Sequence, residues 1–188
     1  MNVPALQEWL AEPRTALITA VADSVRSHVD TLRSRGIDFY GYALLPGEPY
    51  DIQSLVAVSN AEVDIKVPRT DSQYNYYRYC VEEWAHWEHD GFAAANALLV
   101  ETNEVFRAMH SKADGDFRLD EFELAHANAL LDSIVQGLQA ARARGVFGGS
   151  EPFLVVWISD SNPEIMIQSA RRLNPTQVAA DFAREFGS

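Results

Sequence analysis

Phe153-Leu154-Val155-Val156-Trp157-Ile158-Ser159 (FLVVWIS) is an apolar run closed by a serine. A run this short, branched and aromatic reads as a strand buried on both faces, hence central in its sheet. Working back from it, residues 119–144 carry Phe122, His126, Leu130, Ile134 and Leu138 on one helical stripe, and Gly145 follows. Residues 92–110 form another long helix, and residues 81–89 a short one with Trp84 and Trp87 one turn apart and Gly91 at its end. Further back the period changes from 3.6 to 2. Residues 37–45 lead into the Pro46-Gly47 turn, and residues 52–58, 63–67 and 74–79 are three more strand candidates. Before them, Leu17, Val21, Val25, His28 and Leu32 recur at helical spacing over residues 14–35, with Gly36 as C-cap. A short segment anchored by Trp9 and ended by Pro13 precedes this helix, and residues 175–186 form the last. Helix, strands, helices, strand, helix in that order predicts an α+β fold, an antiparallel-dominated sheet of about five strands packed against several helices.

The 188 residues fit one domain over 1–188, and 47% hydrophobic with 22% charged residues is ordinary globular composition. Cys80 is the single cysteine, so no intrachain disulfide forms. No apolar run approaches the roughly 18 residues of a membrane span. The N-terminus holds Glu8 and Glu12 and no basic region, so the expectation is a cytoplasmic protein without a signal peptide.

The net charge is −12, and residues 82–123 alone carry −8. Phosphate contacts need clustered Lys and Arg, so nucleic-acid binding is disfavoured. An acidic face instead steers a basic partner, or simply keeps the surface solvated.

Three patterns imitate sites. Residues 112–123 resemble a calcium loop, with Asp114, Asp116, Asp120 and Glu123 at ligand positions. Yet Lys112 stands at the first ligand position and Phe117 where the loop needs glycine. An acidic first helical turn explains the same residues. Glu83-x-x-His86 and Glu123-x-x-His126 put a carboxylate and an imidazole on one helix face, as di-iron bundles do with two further carboxylates such as Glu101 or Glu104. The strand candidates interrupt any such bundle, and His126 lies on an apolar stripe where a core histidine fits. Cys80 precedes Glu82 and Glu83, which oppose thiolate formation, so it reads as structural. No phosphate loop, dinucleotide fingerprint or nucleophile elbow occurs.

The stretch Tyr74–Asp90 (YNYYRYCVEEWAHWEHD) remains, with four tyrosines, two tryptophans and four acids. Exposed aromatics anchor interfaces, and acids beside them suit a basic partner. Tryptophans also fill cores, and tyrosines on a strand alternate between its faces.

The sequence resembles the bacterial DUF4303 family through Asp38-Phe39-Tyr40-Gly41-Tyr42-Ala43-Leu44, Tyr76-Tyr77-Arg78-Tyr79 followed by Glu83-Trp84, and Ser169-Ala170-Arg171-Arg172-Leu173-Asn174-Pro175. The resemblance brings no catalytic residues. Some relatives occur in toxin–immunity neighbourhoods, which implies an antidote role. The leading reading is therefore a non-catalytic binding protein, without cofactor or metal, that occludes a basic toxin or other protein partner. In this reading Glu82, Glu83, Glu88 and Asp90 pair with basic groups while Tyr77 and Trp87 anchor. One alternative is a metal-dependent enzyme using Glu83/His86 and Glu123/His126. Another is a structural or regulatory homo-oligomer joined through exposed tyrosines. Arg171 and Arg172 cap carbonyls, pair with acids or hold an anion.

Overall fold

In a computed structural model, residues 3–110, 118–159 and 163–187 are described. Helices α1 (Val3–Ala11) and α2 (Thr15–Ser34) lead into β1 (Phe39–Gly47) and β2 (Ile52–Ala61). Then come α3 (Tyr74–Tyr79), β3 (His86–Glu88), α4 (Ala93–Met109), α5 (Glu121–Ala143), β4 (Phe153–Val156), α6 (Pro163–Leu173) and α7 (Thr176–Phe186). The four strands are ordered β3-β2-β1-β4. The β1–β2 and β2–β3 pairs are antiparallel, and β1–β4 is parallel. The class is α+β as expected, but the sheet is mixed and has four strands among the described residues, not five.

Side-chain alternation splits the core in two. Tyr42, Leu44, Leu55, Ala57, Leu154 and Val156 face α2, α4 and α5. Ala43, Val58, Phe153, Val155 and Trp157 face Tyr79, Trp84 and the apolar sides of α6 and α7. FLVVWIS is apolar throughout because both faces of β4 are covered, yet β4 is an edge strand, not a central one. Its outward amides are satisfied by side chains. Trp157 N donates inward to Leu44 O (2.9 Å). Outward, Leu154 N donates to Asn174 Oδ1 (2.8 Å), and Asn174 Nδ2 donates to Leu154 O (2.6 Å). Val156 N donates to Ser169 Oγ (3.0 Å). Two side chains thus stand where a neighbouring strand would hydrogen-bond. The device recurs on β2 beyond the reach of the short β3: Leu55 N donates to Asn96 Oδ1 (2.8 Å), and Asn103 Nδ2 donates to Ile52 O (2.8 Å).

Three local expectations are corrected. Residues 63–67 are not a strand. The chain leaves β2 through a 3₁₀ turn at Glu62–Asp64, and Val63 is 90% exposed, so its alternation with Ile65 and Val67 has no core to face. Residues 74–79, tyrosine-rich and expected as a strand, coil into α3, buried through Tyr79 against Phe153 and Phe182. Tertiary packing overrides the β preference of tyrosine here. Residues 81–89 are not a helix. A 3₁₀ turn at Val81–Glu83 is followed by β3, so Trp84 enters the core while Trp87 points out. Helix α6, absent from the sequence-based element list, starts with proline and buries Met166, Ile167, Ala170 and Leu173 at helical spacing. Gly36 takes φ +72° after α2, the left-handed C-cap conformation expected of it.

Candidate functional site

The six residues expected to meet a partner lie on α3, the following 3₁₀ turn, β3 and the turn after it. Their contacts divide them. Glu83 forms an ion pair with Lys66, whose Nζ stands 5.9 Å from the centre of the half-buried Tyr77 ring. Trp87 is 42% exposed on β3, stacks on His89 (6.1 Å) and donates its indole N–H to Trp84 O (2.9 Å). Glu88 Oε1 accepts the Asp90 amide (3.0 Å), ordering the turn after β3. Glu82 is exposed and accepts Trp157 Nε1 at 3.3 Å. Glu82, Glu88 and Asp90 have no basic partner among the described residues, whereas Glu83 is already neutralised.

The two Glu-x-x-His pairs are not brought together. Glu83 pairs with Lys66, and His86 Nε2 donates to Asp64 Oδ2 (2.9 Å). His126 Nε2 meets Asn103 Oδ1 (2.8 Å), and since Asn103 Nδ2 donates to Ile52 O, the proton of that contact belongs to His126. The ring is stacked 4.2 Å from Phe106 and lies 5.7 Å from Trp9. Burial first, then the Arg14 and Arg107 charges, lower its pKa to about 4, so it is a neutral core histidine. Among the described residues, a His/carboxylate group with ligand atoms within 4.8 Å of one another is His110, Asp120 and Glu123. Its atoms serve the start of α5. Asp120 Oδ1 accepts the Phe122 and Glu123 amides (2.9 Å each), Glu123 Oε2 accepts the Asp120 amide (2.9 Å), and His110 Nε2 donates to Asp120 Oδ2 (2.7 Å). This is a capping box with a histidine behind it. The calcium-loop positions from Lys112 to Phe117 lie outside the described residues. Cys80 is buried, and its thiol pKa is raised, burial being the largest cause. Arg171 pairs with Glu164 (3.7 Å) and Arg172 with Asp132 (2.6 Å), which settles both on acids.

A polar centre that composition does not disclose joins the first two blocks of the resemblance. The Tyr40 hydroxyl donates to Arg78 O (2.8 Å) and accepts Asn60 Nδ2 (3.0 Å). Trp84 Nε1 donates to the same Arg78 carbonyl (3.1 Å), and Ala85 N to Asn60 Oδ1 (3.1 Å). Burial raises the Tyr40 pKa to about 12, so it stays a protonated donor. Gly41 is required because a Cβ there would meet Trp84 at 2.6 Å. The Arg78 guanidinium lies 4.3 Å over the Tyr40 ring and pairs with Glu62, which also holds Arg69 (3.2 Å) and the Tyr74 hydroxyl (3.0 Å). Asn60 and Glu62 carry no signal in the sequence. They matter because the strand end delivers them opposite α3.

These features define a small α+β protein with helices on both faces of a mixed sheet, the first two motif blocks gathered between β1, the end of β2 and α3 and the third closing β4. The family model described as a domain of unknown function (DUF4303) matches residues 21–175, and the chain belongs to that family. No curated protein and no solved structure matches the chain.

Proposed function

We propose that the protein is a non-catalytic binding module that occludes a basic protein partner, as an immunity-type antidote occludes a toxin. The observation that supports it is Trp87, 42% exposed on the edge strand β3 and flanked by acids that lack basic partners among the described residues. An exposed indole is an expensive group to leave in water unless it anchors something. Glu82, Glu88 and Asp90 provide the charge that steers a basic surface toward it. Glu83 and Tyr77 support this face through Lys66.

The test compares tagged wild type with Trp87→Ala and with Glu88→Lys/Asp90→Lys in capture from source-cell extract at low and high salt. A basic protein retained by the wild type, released by salt and lost with either variant supports the reading. With the purified pair, charge reversal should slow association about tenfold and flatten its salt dependence, with less effect on dissociation. Identical captured proteins from wild type and both variants would sink the proposal.

A further inference from the structure

The sheet does not treat its edges alike. The outer backbone of β4 bonds to Asn174 and Ser169, and that of β2 beyond β3 bonds to Asn96 and Asn103. On β3, no strand or side chain among the described residues bonds to the backbone on the side away from β2. Alternation along three residues turns at least one N–H and one C=O outward there. An open edge is a template for a further strand, and proteins that do not use one block it. Here the block is built at two places and omitted at the third. The register fixes what an added strand would meet. Trp87 stands opposite Val58 and shares its sheet face, while His86 and Glu88 stand opposite Ser59 and Ala57 and share the other. Trp87 is 42% exposed, so a side chain beside it meets an apolar ring. On the other face Glu88 has no basic partner among the described residues, and His86 brings Asp64, whose Oδ2 lies 2.9 Å from its Nε2. The neighbours of an added strand therefore alternate acid, indole, acid. Their complement is basic, apolar, basic, the same pattern in either strand direction. A second copy of this chain would bring its own Asp64, Glu88 and Asp90 to the same place, so like charges would meet. We propose that β3 receives an extended segment of the basic partner as a further strand, with an apolar side chain against Trp87 and Lys or Arg side chains beside Glu88 and Asp64. Backbone hydrogen bonds then supply affinity, and the alternating side chains supply selectivity. This deepens the partner surface proposed above and rests on it.

The probe is the peptide acetyl-Lys-Val-Lys-Val-Lys-amide, titrated into the whole isotope-labelled protein and followed by the backbone amide shifts of residues 86–88. Two analogues carry the same charge. One is acetyl-Lys-Lys-Lys-Val-Val-amide, which loses the alternation. The other is the parent N-methylated at every residue, which keeps the side chains and removes every N–H that an added strand would donate. The parent should bind below about 1 mM, and both analogues should be weaker by about tenfold or more. Glu88→Lys should weaken the parent about tenfold, and Glu104→Lys, the same reversal at an exposed position of α4, by less than about twofold. The inference is overturned if the parent does not bind, if either analogue matches it, or if Glu88→Lys binds as the wild type does. A dimer of the protein that excludes the peptide would also overturn it, because the occupant of β3 would then be a second copy. A basic protein captured through Trp87 and Glu88, with no binding of this peptide, leaves the partner surface standing and removes strand addition. Peptide binding with no captured protein leaves strand addition standing and removes the antidote role.

Discussion

Replacing Asn174 with alanine tests how the sheet is closed at β4. The Asn174 amide meets both outward backbone groups of Leu154, a fully buried residue, at 2.8 and 2.6 Å. Truncation leaves one N–H and one C=O without partners. The Ala170 carbonyl, also touched by Asn174 Nδ2, keeps the Asn174 backbone N–H at 3.0 Å and so is not orphaned. At about 1–3 kcal/mol for each buried group left unpaired, the two orphans predict a loss of about 3 kcal/mol, toward the low end of the summed range because water can reach a strand edge. Urea unfolding followed by tryptophan fluorescence measures it, and the midpoint should fall with the slope m unchanged. Ser169→Ala removes the acceptor for Val156 N and should cost about 1–2 kcal/mol. Gln139→Ala, which removes only an exposed bond to Arg172 O, should stay within about 0.5 kcal/mol of wild type. A loss below about 0.5 kcal/mol for Asn174→Ala would refute the reasoning, because the Leu154 groups would then have other partners.

His126 titrates near pH 4 in the folded protein and near its ordinary value unfolded, so the unfolded chain binds the extra proton between these limits. Stability should therefore be unaffected above about pH 6.5 and fall as pH drops toward 4, by on the order of 3 kcal/mol. The difference between wild type and His126→Gln across that window isolates the effect; a difference independent of pH would refute it. Gly41→Ala forces a methyl against the Trp84 ring and should cost about 1–3 kcal/mol, visible as a lower unfolding midpoint. Cys80 should resist alkylation in the native state and react on unfolding, because the thiol is buried and its pKa is raised. Rapid native labelling would contradict this.

Long periodic segments could be read directly from the sequence. The stripe of α2 and that of α5 each bury one continuous face, and β1 and β2 carry enough branched and aromatic residues to fix their period. Short aromatic segments were ambiguous because the same tyrosines satisfy either period. Tyr79 is buried as a helical residue only because Phe153 and Phe182, distant in sequence, wait for it. The run FLVVWIS announced two covered faces but not its neighbours in the ladder. That depended on Asn174 and Ser169, which look like ordinary polar positions until the fold places them on an edge. The aromatic–acidic stretch was recognisable as surface chemistry, but only the fold separates Trp84 from Trp87. Arg78 lies within a motif of the resemblance but has no role assigned from sequence, and Glu62 and Asn60 acquire meaning only through long-range contact.

The side-chain closure of β4 also sets the stoichiometry of any strand addition. Hydrogen-bonded growth of a sheet needs two open flanks to propagate, one to receive and one to offer. Here one flank is occupied by Asn174 and Ser169, and the other is the three-residue β3. Two copies that met through β3 would each use the one flank left open among the described residues and leave nothing for a third. Edge association of this protein is therefore self-terminating, ending in a closed pair or a single captured strand rather than a fibre.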